Sequence, residues 1–185
     1  MLLTTGDVIE NTLQNLQFQG IKLTYKARDF LRPREILLSE VPIKPGDAVL
    51  DYGCGPGSYT FVVSKIVGPQ GRVYALDVEP LVIKHVENLI RKRNIENIRT
   101  ILSDCETGLP DESIDIILLF DIFHLFNDPN RNLRELHRVL KSNGILSFSD
   151  HHMDRQSILE GMTAGGWFRF LGQGSYVFTF TKNLP

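Results

Sequence analysis

The chain has 185 residues, of which 42% are hydrophobic and 9% aromatic, and a formal net charge of -2. That length supports one domain around one substantial core, and the near-balanced charge excludes the overall positive field that nucleic-acid or anionic-membrane binding would use. No stretch approaches the roughly 20 consecutive apolar residues of a membrane helix.

The amino terminus, Met1-Leu2-Leu3-Thr4-Thr5-Gly6-Asp7, has neither a basic segment nor a long apolar one, so a cytoplasmic location without a secretory leader is expected. Residues 1–45 read as helical. Asp7 and Glu10 have capping-box spacing, Ile9, Leu13 and Leu16 form a stripe, and Gly20 ends it. A second helix from about Pro33 carries Ile36, Leu37 and Val41 before Pro42 and Pro45-Gly46 break it. Nothing linker-like follows, so the expectation is one domain over 1–185, with 1–45 as a helical appendage or lid and 46–182 as the core.

From residue 46 on, short β-branched runs alternate with amphipathic stretches, the rhythm of βαβ units and a mostly parallel sheet. The runs are Ala48–Leu50, Val73–Leu76, Ile98–Leu102, Ile114–Phe120 and Ile145–Phe148. The fourth is almost continuously apolar, as expected of a central strand covered on both faces. Between them, Ser58 is placed to cap a helix that stops at Gly68-Pro69, and Pro80 suits the first turn of a helix whose Val82, Val86, Leu89 and Ile90 share a face. Arg91-Lys92-Arg93 falls where that helix ends, facing its negative pole. A further helix from Pro129 carries Leu133, Leu136 and Leu140 and is expected to stop at Asn143-Gly144. Trp167–Phe170 and Tyr176–Thr181 flank Gly172-Gln173-Gly174 and read as an antiparallel hairpin.

The segment Asp51-Tyr52-Gly53-Cys54-Gly55-Pro56-Gly57 sits between a strand and a helix, where glycines allow a tight turn and close approach of a ligand. A dinucleotide fingerprint needs its third glycine three positions after the second, and that place holds Ser58. Asp51, two residues before the first glycine, would repel a pyrophosphate. A phosphate-free cofactor with a cationic amino-acid end suits the loop better, and S-adenosylmethionine has one. Asp77 ends the second run and can accept both ribose hydroxyls; Asp104 ends the third, within reach of an adenine amine.

These residues carry a resemblance. Over residues 45 to 182 the sequence resembles class I S-adenosylmethionine-dependent methyltransferases, and within them the small-molecule branch that includes the ubiquinone/menaquinone biosynthetic C-methyltransferases. The resemblance implies a three-layer Rossmann-like α/β fold with a mostly parallel seven-stranded sheet and an antiparallel C-terminal strand. It implies that the loop (Asp51, Tyr52, Gly53, Cys54, Gly55, Gly57) wraps the methionine end, that Asp77 with Val78 beside it holds ribose, and that Asp104-Cys105 contacts adenine. Phe120 at the end of the fourth run, and Tyr25 and Arg28 as lid residues, complete the expected contacts to S-adenosylmethionine or its product S-adenosylhomocysteine.

Ligands of open α/β sheets sit beyond the carboxyl ends of the strands, so catalytic candidates come from Phe120–His124 and Ser149–His152. His124, His151 and His152 are each candidate general bases. His151 and His152, if extended, would point to opposite sides. Their spacing with Asp150 supplies no fourth ligand, so no metal site is expected. The place after the fourth run lacks the Asn/Asp-Pro-Pro-aromatic motif of base and glutamine N-methylation, no Pro-Cys nucleophile is present, and two cysteines, Cys54 and Cys105, are few for arsenite chemistry. The expected acceptor is therefore a small molecule. With no inserted cap, the cleft is to be covered by residues 1–45, by the substrate, or by a second copy in a homo-oligomer. A non-catalytic cofactor-binding module and a nicotinamide-dependent oxidoreductase are the competing readings.

Overall fold

The computed structural model describes residues 34–183. The helix expected near Asp7, and the lid residues Tyr25 and Arg28, lie outside the described residues.

The described elements are α1 (Arg34–Ser39), β1 (Ala48–Tyr52), α2 (Thr60–Val67), β2 (Arg72–Asp77), α3 (Pro80–Lys92), β3 (Ile98–Leu102), β4 (Ile114–Phe120), α4 (Pro129–Val139), β5 (Leu140–Ser149), α5 (Arg155–Thr163), β6 (Phe168–Gln173) and β7 (Phe178–Lys182). A single 3-10 turn, Phe123–Leu125, follows β4. The strands form one sheet in the order β3-β2-β1-β4-β5-β7-β6. All pairings are parallel except those of β7, which runs antiparallel to both β5 and β6. The expected mostly parallel sheet with one antiparallel C-terminal strand is therefore present.

Side-chain alternation builds two cores. Ile116, Leu118 and Phe120 of β4 face a cluster with Leu37 and Leu38 of α1, Val63 and Val67 of α2, and Val82 and Val86 of α3. Ile117 and Leu119 face the opposite way, onto Leu133, Leu136 and Val139 of α4 and Ile158 and Met162 of α5. A strand buried on both faces has to be apolar at successive positions, which is why β4 reads as a continuous run. Phe148 of β5, fully buried against Phe123, Phe178 and Phe180, ties the last hairpin to this second core. Glu40, just after α1, accepts backbone N–H bonds from Ser175, Tyr176 and Val177 at 3.0, 3.0 and 2.9 Å and pins the turn of that hairpin.

Three local expectations are corrected. Ser58 does not cap α2; Tyr59 holds the N-cap position with no side-chain hydrogen bond, and Ser58 is buried in the loop. The helix α4 does not run to Asn143-Gly144. It ends at Val139, because Leu140 turns to extended backbone and begins β5 by pairing with Ile114. Gly144 is needed for close approach instead: a Cβ there would lie 2.6 Å from Leu140 Cδ1 and 3.0 Å from the Asp115 carbonyl oxygen. The hairpin link also shifts, since β6 extends through Gln173 and the turn is closed by Gly174 N–H donating to the Val177 carbonyl at 2.9 Å.

Strands β2 and β3 grow outward from one edge of β1, and β4 pairs with the other. The connections after β1 and β4 therefore leave to opposite faces, and the crevice beyond their carboxyl ends is where an open α/β sheet binds its ligand.

Candidate active site

The loop after β1 is fixed by backbone bonds. The N–H groups of Gly53 and Cys54 both donate to the Leu76 carbonyl at 2.8 Å, locking the turn onto the end of β2. Gly53 has φ +82°, and a Cβ on it would stand 2.7 Å from Ile122 Cγ1, so both backbone conformation and space demand glycine. Asp51 lies beneath the loop, 3% exposed, and accepts from Thr60 Oγ1 at 2.5 Å, joining β1 to the start of α2. Burial, helped by the carboxylates of Asp51 and Asp77, pushes the Cys54 thiol well up, so it stays protonated and unreactive.

Beside this loop opens a cleft of about 300 Å³, at the lower end of small-molecule sites. Tyr52, Gly53, Asp77, Val78 and Asp104 line it, so the ends of β1, β2 and β3 meet as expected. Asp77 accepts the Gly55 N–H at 2.9 Å and the Glu79 N–H at 3.0 Å. Burial pushes its carboxyl up, and these backbone donors only partly oppose the rise. Val78 is 63% exposed and forms a rim. Asp104 projects its carboxylate to Arg131, which contacts it at 3.1 Å and holds Glu106 at 2.7 Å; the guanidinium draws the Glu106 carboxyl below its usual range.

Other expected cofactor residues do not reach the wall. Asp51, Cys54, Cys105 and Phe120 are buried, and Phe120 packs edge-on to Tyr59 at 5.0 Å. Gly55 and Gly57 shape the loop from outside the lining. Conversely, Leu125, Phe126, Arg131 and Asn132, which the sequence does not single out, line the cleft together with Ile122 of the Phe120–His124 segment. Asn132 donates to Tyr52 Oη at 2.7 Å and to the Asp104 carbonyl at 3.1 Å, binding the ends of β1 and β3 to α4. The signal available was the Asp128-Pro129 helix start: Asp128 caps α4 through the Arg131 N–H, which turns residues 131 and 132 of the first turn back toward the strand ends.

The three histidines gather beyond the ends of β4 and β5, outside the cleft lining but next to Ile122 and Leu125. His124 Nδ1 is 2.8 Å from Asp150 Oδ2, and the Asp150 side chain is fully buried. His151 Nδ1 is 2.8 Å from Asp121 Oδ1. A carboxylate only accepts, so each neutral ring carries its proton on Nδ1 and leaves Nε2 as the acceptor. His151 and His152 do not point to opposite sides. The chain turns after β5, with Met153 N–H donating to the Asp150 carbonyl, and the two rings lie 3.8 Å apart between centroids. His152 also lies 4.3 Å from the His124 ring. His137 bonds the Asn183 carbonyl through Nε2 at 3.0 Å and packs on Trp167.

The reversal of strand order, the glycine turn after β1 and the acids closing β2 and β3 define an α/β protein with a cleft for a nucleoside cofactor. A family model described as a methyltransferase domain matches residues 43–166. The chain belongs to the methyltransferase-domain family, of the class I, S-adenosylmethionine-dependent type. Demethylmenaquinone methyltransferase of Geobacillus stearothermophilus is 31% identical over 121 residues, 64% of this chain and 51% of that protein. Arsenite methyltransferase of Halobacterium salinarum is 30% identical over 107 residues, 57% of this chain and 27% of that protein. The crystal structure of an S-adenosylmethionine-dependent methyltransferase from Aquifex aeolicus superposes with a TM-score of 0.78 at 27% identity, covering 90% of this chain and 98% of that one. The chain spans about half the length of the demethylmenaquinone methyltransferases it matches.

Proposed function

We propose that the protein transfers a methyl group from S-adenosylmethionine to a small-molecule acceptor, with Asp77 as the main cofactor anchor and His124 as general base. The observation that carries this reading is the donor and acceptor character of the cleft. Asp77 and Asp104 supply carboxylates, while the cleft's cation, Arg131, is already held by Asp104 and Glu106. Such a wall suits a ligand that offers hydroxyl and amine donors and carries no phosphate. Leu76, Val78, Ile122 and Phe126 supply apolar surface for a flat base. The residues therefore fit S-adenosylmethionine: Asp77 would hold the ribose hydroxyls, Asp104 the adenine amine, and the Gly53 turn the amino-acid end.

The cofactor supplies an electrophilic methyl on a sulfonium. The chain's own residues bind, orient and move a proton. Positioning two reactants in one site lowers a barrier by up to roughly 7 to 11 kcal/mol, so most of the acceleration is assigned to the cleft walls. Where the acceptor has to lose a proton, His124 Nε2 takes it. Asp150 fixes the ring's orientation and steadies the imidazolium that forms, the division of labour of an orienting carboxylate and its histidine. His151 with Asp121, and His152 packed at a tilt between the two rings, extend a polar wall from that point to solvent.

The acceptor class is tested by incubating purified protein with methyl-labelled S-adenosylmethionine and a cell extract separated into metabolite and macromolecular fractions. Label is expected in the metabolite fraction. Label confined to protein or nucleic acid overturns the acceptor assignment, and binding without any transfer favours a non-catalytic module.

A further inference from the structure

We propose that Asp121, Asp150 and His151 bind one divalent cation of the Mn²⁺ to Zn²⁺ type on the acceptor side of the cleft. These residues stand at the carboxyl ends of the adjacent parallel strands β4 and β5, and one ligand atom from each lies within 4.8 Å of the other two. Two ligands at about 2.0 to 2.2 Å from a metal, in neighbouring coordination positions, are themselves about 3 Å apart. His151 Nδ1 and Asp121 Oδ1 are 2.8 Å apart, so this pair needs almost no movement to share an ion in place of a proton. Ligation through Nδ1 moves the proton of the neutral ring to Nε2, and the ring stays neutral.

Charge supplies an independent reason. The Asp150 side chain is completely buried, and its partners are His124 and the His152 backbone N–H, with no lysine or arginine among the described residues on it. A buried carboxylate without a permanent positive partner is costly, and a divalent ion next to it offsets that cost. His124 can keep its bond to one Asp150 oxygen while the other faces the ion.

The donor set selects the metal. Two carboxylates and one imidazole suit Mn²⁺, Fe²⁺ or Zn²⁺, whereas Ca²⁺ takes six to eight oxygens and Mg²⁺ keeps mostly water and oxygen. Three protein ligands leave coordination positions open, and the His151 side chain is 39% exposed, so those positions face solvent. An acceptor oxygen entering there would be polarised by the ion, which points to hydroxyl-bearing acceptors. That consequence rests on the methyltransferase reading; the ion site does not.

The test uses the full chain, stripped with chelator and titrated with Mn²⁺ by calorimetry and by the loss of free Mn²⁺ signal in electron paramagnetic resonance. The variants are His151→Ala, at an exposed ring, and Asp121→Asn, because Asn tolerates the left-handed backbone that residue 121 adopts at φ +54°. Wild type should bind one Mn²⁺ per chain and bind Ca²⁺ more weakly. Each variant should bind Mn²⁺ at least about ten-fold more weakly, since loss of even an outer partner of a metal site has that effect. No saturable Mn²⁺ binding by wild type, or equal binding by both variants, overturns the site. S-adenosylhomocysteine binding, measured on the same stripped sample, reports separately on the cofactor cleft.

Discussion

The two halves of the crevice are made differently. On the β1–β3 side, positions are set by backbone: a glycine turn hydrogen-bonded to the end of β2, and carboxylates at consecutive strand ends. On the β4–β5 side, positions are set by side-chain pairs, Asp150 with His124 and Asp121 with His151, built on two loops. In the proposed reading the first half holds the cofactor through fixed backbone positions, and the second sets the chemistry through a few loop side chains. In a fold that serves many reactions, binding and catalysis are thereby separable.

If the halves are independent, a change in one should leave the other's measurement alone. The largest expected effect is on rate. His124→Ala should lower methyl transfer by roughly 10²- to 10⁴-fold, the usual contribution of a general base, while S-adenosylhomocysteine affinity measured by calorimetry stays at the wild-type value. Asp150→Asn should lower the rate in the same direction, because an amide N–H can donate to Nδ1 and leave the ring in the wrong tautomer. A loss of cofactor affinity in His124→Ala would merge the two halves.

Next comes the turn. Gly53→Ala forces a residue with a Cβ into φ +82° and against Ile122, which should remove about 1 to 3 kcal/mol of stability in denaturant melts and weaken cofactor binding. Asn132→Ala should be milder. It removes a donor to Tyr52 Oη, but that hydroxyl still reaches the Asp104 and Cys105 carbonyls, so the expected loss is about 1 kcal/mol.

The smallest effect is a pH dependence from Asp77. Burial raises its carboxyl above the ordinary 3.8, so in the folded chain the ionised form is disfavoured. Its contribution to stability is then fully present below the unfolded value and lost as pH rises through the folded one. Ribose hydroxyls need the ionised carboxylate, so affinity moves the opposite way. It should be flat near neutrality and fall on acidification sooner than an unperturbed aspartate would dictate, as read by calorimetry across a pH series.

The same division explains what the sequence discloses. Strand β4 was readable to the residue, because a strand covered on both faces has to be apolar throughout, whereas β3 was readable only from its short Ile98–Leu102 run, since this edge strand is half-buried or exposed beyond Ile98. Asp77 and Asp104 were readable because strand ends fix their place. The end of α4 was not, since Leu140 fits a helix stripe and a strand equally well, and pairing with Ile114 decides for the strand. Tyr52 meets Asn132 across 80 residues of chain and Asp104 meets Arg131 across 27, contacts that no local spacing signals. The histidines were found as a residue type, but not their close packing, because the turn after β5 replaces the extended geometry that would separate them.

The central claim is that the Asp77 side of the crevice binds S-adenosylmethionine. Isothermal calorimetry of S-adenosylhomocysteine against the purified, cofactor-stripped chain and its Asp77→Ala variant tests it most directly. Wild type should bind one molecule per chain, and the variant should lose roughly 1.5 to 3 kcal/mol, the scale of a hydrogen bond to a charged group. No binding by wild type, or equal binding by the variant, would contradict the account.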